Sequence, residues 1–296
     1  MGQGALAKFA VDPVLPFDTS SEPYEYIPPF GLKGSQPIID IGGIRGTRSH
    51  QSERVRFGAK VVGGDVILPV AASMLDLWLP RILGAAKSGT DFLVAETLPE
   101  FQFMHDTVEK VFKYTGCKVG KAVFKGSAQS PLVTVTLSII GKDRSPGNAG
   151  TFPSLTMPVD MPYLFNELVL TVDSVSRPVE DFELTIDNMG KARMVNSFTA
   201  DSIMITDRIV TLSFTNPFES DMVDLLDVAR GGMSGTLVWT PSGSNASTTI
   251  TLPAIQIPVD DPVVSGKDQI SNKITAICRR TSSSAEIVVD HDSSVT

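Results

Sequence analysis

"LVTVTLSII", Leu132–Ile140, alternates without a break. Val133, Val135, Leu137 and Ile139 fall on one face, and Thr134, Thr136 and Ser138 on the other. A period of two is that of a strand with one buried and one wetted face. The pattern recurs in "ELVLTVD" (Glu167–Asp173), "DFELTID" (Asp181–Asp187), "RIVTLSFT" (Arg208–Thr215), "TTITL" (Thr248–Leu252) and "KITAICR" (Lys273–Arg279). Gly, Asn, Asp and Pro punctuate the runs. The expected fold is therefore mainly β, built from antiparallel strands that each bury one side.

Two segments interrupt this pattern with helical spacing. Met74, Leu75, Trp78, Leu79 and Ile82 form one apolar stripe, with Pro80 expected to end or kink the helix. Met222, Val223 and Leu226 form the other, with Ser220 as N-cap and Gly231 as the stop. "MLDLW" (Met74–Trp78) and "MVDLL" (Met222–Leu226) are nearly the same word, and each follows a strand ending in proline, "DVILPV" and "LSFTNPF". Each is later followed by a passage from glycine into a strand. These matches predict a duplicated unit: two similar antiparallel β-sandwich or barrel-like lobes, each with one flanking helix. The boundaries expected are an extended N-terminal arm at 1–42, a first lobe at 43–142 with a basic loop at 43–60, a Gly/Pro/Ser-rich linker at 143–162, and a second lobe at 163–296.

The chain has 296 residues, a formal charge of −8 and a pI near 4.9. That balance disfavours tight groove-tracking contact with nucleic acid, which needs clustered Lys and Arg. No secretion signal is expected, and the most apolar window holds Asp76, Arg81 and two prolines, so no membrane span is expected. Cys117 and Cys278 are expected to be reduced and buried. His50 and His291 lie in polar segments and are expected to be solvated, and His105 is expected on a strand. No histidine has a second histidine or a cysteine at helical spacing. "GGMSGT" (Gly231–Thr236) lacks the second glycine of a nucleophile elbow, and "IDIGGIRG" lacks the strand–loop–helix context of a phosphate loop. Neither a catalytic constellation nor a cofactor site is expected.

With these residues in view, "GIRGTRSHQSERVRFGAKVVGG" (Gly43–Gly64), "LDLWLPRILG" (Leu75–Gly84), "YTGCKVGKAVFKGS" (Tyr114–Ser127) and the run "LFNELVLTVDS…VEDFELTIDN" ending at Asn188 resemble the tail tube proteins of long-tailed bacteriophages. The resemblance covers roughly Gly43 to Arg280. It implies a structural virion protein whose lobes join into rings that stack into a tube, the conduit for genome delivery. It also implies assembly in the host cytoplasm, with tape measure, tail terminator and baseplate proteins as partners and DNA in transient, non-specific passage. Such proteins commonly form hexameric rings from single-lobed chains. Two lobes per chain would instead favour a homotrimeric, pseudo-sixfold ring, with the homohexamer as the alternative.

On that reading, Thr134, Thr136, Ser138, Thr211, Ser213 and Thr215 are lumen-facing candidates. Arg45, Arg48, Arg54 and Arg56 are candidates for contacts between rings or subunits. Trp78 and Leu226 are the core residues of the two helices. The competing reading is another β-rich interaction module, an adhesin or carbohydrate-binding domain; exposed aromatics would mark it, whereas Trp78 and Trp239 sit in core-like contexts.

Overall fold

The structure, a computed structural model, describes residues 4–13, 17, 21–40, 46–47, 49–145, 150–217, 233–242, 245–258 and 270–293. From the N-terminus, β1 (Lys8–Asp12), β2 (Glu22–Tyr24) and β3 (Lys33–Ser35) precede a two-stranded ribbon of β4 (Ile38–Asp40) and β5 (Val55–Phe57). β6 (Val61–Pro69) leads into α1 (Ala72–Leu83). After it come β7 (Asp91–Phe92), β8 (Phe101–Asp106), β9 (Val111–Ser127), β10 (Thr134–Gly141) and β11 (Asp143–Arg144). The C-terminal half holds β12 (Leu168–Val172), β13 (Val175–Arg177), β14 (Asp181–Asp187), a ribbon of β15 (Gly190–Arg193) and β16 (Ser202–Ile205), and β17 (Ile209–Pro217). β18 (Met233–Trp239), β19 (Ser247–Gln256), β20 (Ser271–Arg279) and β21 (Val288–Asp292) complete it.

The mainly β, antiparallel expectation is met, and no barrel closes among the described residues. One sheet runs β3–β6–β10–β9–β14–β17–β20. β9 enters it through its C-terminal part; its N-terminal part pairs instead with β8 and β11. β8 in turn carries β1, and β1 carries β2. In the other half β19 pairs with β20 through Ala254–Gln256, with β18 on its opposite edge and with β21 at its start. β18 carries β12, and β12 carries β13.

Alternation and register together build the core. Leu68, Val135, Phe124, Leu184, Leu212 and Ala276 stand opposite one another on six successive strands, and all are buried. The next row, Val66–Leu137–Ala122–Ile186–Val210–Cys278, is buried too. A single apolar cluster takes in Trp78, Leu137, Leu184, Trp239 and Leu252, so both halves of the chain share one core.

α1 closes part of that core. Trp78 is fully buried, edge-on to Phe101 and tilted against Phe103, with ring centroids 5.5 and 5.7 Å away. Its first turn receives no cap from Ala71, but Asp160 Oδ2 accepts from the Ser73 N–H at 2.6 Å. Pro80, expected to end or kink the helix, does not end it: α1 runs on to Leu83. Burial of Leu79, Ile82 and Leu83 offsets the missing proline donor, and Gly84, at φ 106°, returns its N–H to the Pro80 carbonyl. The second predicted helix, Ser220 to Gly231, lies outside the described residues.

Two other segments differ from expectation. Residues 1–42, expected as an extended arm, contribute β1, β2 and β3 to the sheets, because Phe9, Val11, Tyr24 and Leu32 are buried in the core. His291, expected in solvent, is fully buried, its Nδ1 2.8 Å from Thr248 Oγ1 and its Nε2 3.0 Å from the Ala72 carbonyl. His50 is exposed and lies 2.6 Å from Asp40, and His105 stands on β8. Cys117 and Cys278 are buried and free; burial raises both thiol pKas, that of Cys278 up to about 12.

Candidate functional site

The sheet from β6 to β20 has a second side, away from the core. Residues directly opposite one another in an antiparallel pair share a face, so the register reads across the strands. One row runs Thr134–Lys125–Glu183–Ser213–Thr275. The next runs Ile67–Thr136–Val123–Thr185–Thr211–Ile277, and a third runs Asp65–Ser138–Lys121–Asp187–Ile209. Asp181, Thr215 and Lys273 form a shorter fourth. Thr134, Thr136, Ser138, Thr211, Ser213 and Thr215 therefore stand on one face of one continuous sheet. β9 and β14 separate the first three from the last three. All six side chains are half-buried. Ser138 donates to Asp65 Oδ1 at 2.6 Å, and the hydroxyls of Ser213 and Thr275 lie 3.0 Å apart.

Lysines and carboxylates interleave with these hydroxyls. Lys125 stands opposite Glu183, and Lys121 opposite Asp187, across the β9–β14 pair. Lys125, Lys273, Asp181 and Glu183 all line one shallow depression of about 380 Å³ on this face. Nothing in the alternation of single strands pairs a given lysine with a given carboxylate. The β9–β14 pairing does that, although "KAVFK" at Lys121–Lys125 already put two lysines on one side of a strand.

A second surface is the ribbon of β4 and β5. Ile38 faces Phe57, Ile39 faces Arg56, and Asp40 faces Val55. Its base is fastened by Gln36 Nε2 to the Gly58 carbonyl and by the Gly58 N–H to the Pro37 carbonyl, both 2.8 Å. The Lys60 N–H reaches the Phe198 carbonyl at 2.6 Å, and Lys60 Nζ pairs with Asp143 at 2.9 Å. Arg54 ends a short 3-10 turn (Ser52–Arg54), and Arg56 is exposed on β5. Arg45 and Arg48 lie outside the described residues, as does Leu226. The basic reading of this segment missed its apolar residues: Ile38 and Phe57 share one face, Ile39 lies beside Arg56 on the other, and each is more than half exposed. Clustered exposed apolar groups of this kind mark contact surfaces.

The two ends of the long sheet are the third feature. β20 pairs with β17 along Ser271–Cys278, but among the described residues its other edge is met by β19 only at Ile277–Arg279. At the far end, β3 pairs with β6, and no strand among the described residues pairs with its outer edge. Unpaired edges are templates for pairing with another chain.

Other polar groups serve the fold. Arg81 is buried, donates to the Leu77 carbonyl and pairs with Glu22 at 3.2 Å. Burial pushes its pKa down, and Glu22 opposes that. Asn188, fully buried, donates to the Ile82 and Val119 carbonyls and so ties the end of α1 to β9. Arg208, which lines a depression of about 750 Å³, pairs with Glu286 at 3.2 Å and donates to the Ala95 carbonyl. Among the described residues, no three His, Cys, Asp or Glu side chains converge as a metal site would require, and no helix is long and apolar enough to cross a membrane.

Comparison with known proteins adds one finding. The model of a family described as phage tail tube protein matches residues 4–278. No curated protein matches the chain.

Proposed function

The chain belongs to the phage tail tube protein family, a structural component of the virion tail, and we propose that it forms closed rings whose inner wall conducts the genome. The observation that carries this reading is the hydroxyl-rich face, which crosses six paired strands and, among the described residues, ends at an unpaired edge on each side. Edges at the two ends of a sheet are a heterologous pair, and such contacts close into a ring when their rotation permits. The edges of β3 and of β20 at Ser271–Ala276 are the surfaces we assign to the junction between chains.

The ring is proposed to contain three chains, each contributing two similar lobes. The support lies in pairings that recur in the same order. β1–β2, β1–β8, β8–β9, β9–β10, β10–β6 and β6–β3 are matched by β12–β13, β12–β18, β18–β19, β19–β20, β20–β17 and β17–β14. Pro69 ends β6 opposite Thr134, and Pro217 ends β17 opposite Ser271. Within a chain, β9–β14 is the junction between the two units. The β4–β5 ribbon, with its arginines and exposed apolar residues, is proposed to reach the neighbouring ring. Tape measure, terminator and baseplate proteins are the further partners, and assembly takes place in the host cytoplasm.

Cysteines at Thr136 and Ser213 test the wall. Both should react with a bulky maleimide in free subunits and be protected in assembled tubes; equal reactivity in the two states would place the face outside. Mass measurement of isolated rings tests the stoichiometry. Six chains per ring would retire the repeat and leave the family assignment in place.

A further inference from the structure

The face assigned to the wall is not uniformly neutral. Three lysines project from it, Lys121, Lys125 and Lys273, beside four carboxylates, Asp65, Asp181, Glu183 and Asp187. Three lysines among hydroxyls on one face would ordinarily make a phosphate-binding patch, and each lysine–phosphate contact adds affinity that falls steeply with salt. A conduit with that property would retain its cargo. The placement of the acids answers this difficulty. We propose that the carboxylates of β14 mask the lysines of β9 and β20, leaving the face inert toward double-stranded DNA. This rests on the conduit reading and adds which residues make the wall non-adhesive.

The geometry is specific. Glu183 and Asp187 are the direct cross-strand partners of Lys125 and Lys121, and side chains so placed have Cβ atoms about 4.5–5.5 Å apart. Asp181 and Glu183 share a depression with Lys125 and Lys273, so the third lysine also meets acid. At about 0.1 M salt the screening length is about 10 Å, so carboxylates at this range offset the lysine potential before a phosphate arrives. Asp65 is the exception: it accepts from Ser138 on the far side of the sheet, one strand beyond β10. The masking therefore falls to β14. The same strand joins the two halves of the chain through its pairing with β9, so the strand that makes the junction also carries the charges that mask its lysines.

The test replaces the acids with their neutral isosteres, E183Q/D187N, and measures binding of the free subunit to a fluorescent DNA duplex in a salt series. The parent should show no binding. The variant should bind at least about tenfold more tightly at low salt, with a log–log salt slope near −2, one unit for each unmasked lysine. Adding K121Q/K125Q should restore inertness. A folded variant as inert as the parent overturns the proposal, as does binding by the parent itself. Should the double variant fail to fold, the exposed single change E183Q carries the same expectation with a slope near −1. The maleimide experiment separates this from the conduit reading. Protected cysteines with an inert variant would sink the masking alone. Reactive cysteines with a DNA-binding variant would sink the wall alone.

Discussion

Gly64→Ala is the sharpest probe of the β3 end of the sheet. Gly64 sits on β6 at φ 152°, where the segment leading into β3 crosses close above it. A Cβ there would lie 2.0 Å from the Gly31 carbonyl oxygen, 2.5 Å from its carbon and 2.9 Å from Leu32 Cα. All three are backbone atoms, so no side-chain rotation relieves the clash, and the segment must lift. Lifting it breaks the Ile27 N–H to Ile67 and Gly31 N–H to Asp65 carbonyl bonds, both 2.8 Å, and exposes Leu32. At about 1 kcal/mol net for each bond and about 2 kcal/mol for the leucine, the loss is about 4 kcal/mol. Urea unfolding followed by tryptophan fluorescence should show it, and native mass measurement should show rings that fail to close, because the lifted segment carries a junction edge. A variant within about 1 kcal/mol of the parent that still closes rings would refute both the packing argument and the role of that edge.

Trp78→Ala should cost about 3–5 kcal/mol in the same unfolding assay, since the ring is fully buried against Phe101 and Phe103; a loss under about 1 kcal/mol would mean that the site collapses without penalty. Replacing Arg45, Arg48, Arg54 and Arg56 together with Ser should leave the fold intact and weaken stacking, read as tube length by electron microscopy across a salt series; unchanged polymerisation would remove these arginines from assembly. Acid should destabilise the subunit through buried histidine. Burial holds His105 neutral down to about pH 4, against an ordinary value of 6.5, and also lowers the pKa of His291. The unfolded chain binds these protons first, so the stability is present above pH 6.5 and is lost as pH falls toward 4, by roughly 3 kcal/mol for His105. His105→Gln should flatten that pH dependence relative to the parent, and an unchanged slope would clear His105 of the effect.

Alternation made the two faces of each strand readable in advance, because burial on a pleated sheet repeats every second residue. Thr134, Thr136 and Ser138 could be assigned to one side from "LVTVTLSII" alone. What alternation does not encode is which strand lies beside which. That Lys125 meets Glu183 depends on β9 pairing with β14 across a long connection, and no local pattern specifies it. His291 shows the opposite lapse. Ile287, Val289 and His291 share the buried face of one alternating run, so the signal was present, but the acidic neighbours Asp290 and Asp292 drew the reading toward solvent. At Pro80, burial of the following turn overrode a local rule. Residues 1–42 read as an arm because Pro and Gly break them into pieces too short to show a period.

β9 has a consequence for synthesis. Its C-terminal part pairs with β10 on one edge and with β14 on the other, and β14 ends sixty residues after β9 does, at Asp187 against Ser127. At roughly 5–20 residues per second, a ribosome takes about 3–12 s to cover that distance. For those seconds the first half of the nascent chain can fold around α1 and β10, yet it must hold open an edge of seven residues. Neighbouring nascent chains would present the same edge. Slowing translation between Ser127 and Asp181 should therefore raise the insoluble fraction, whereas slowing it after Asp187 should not.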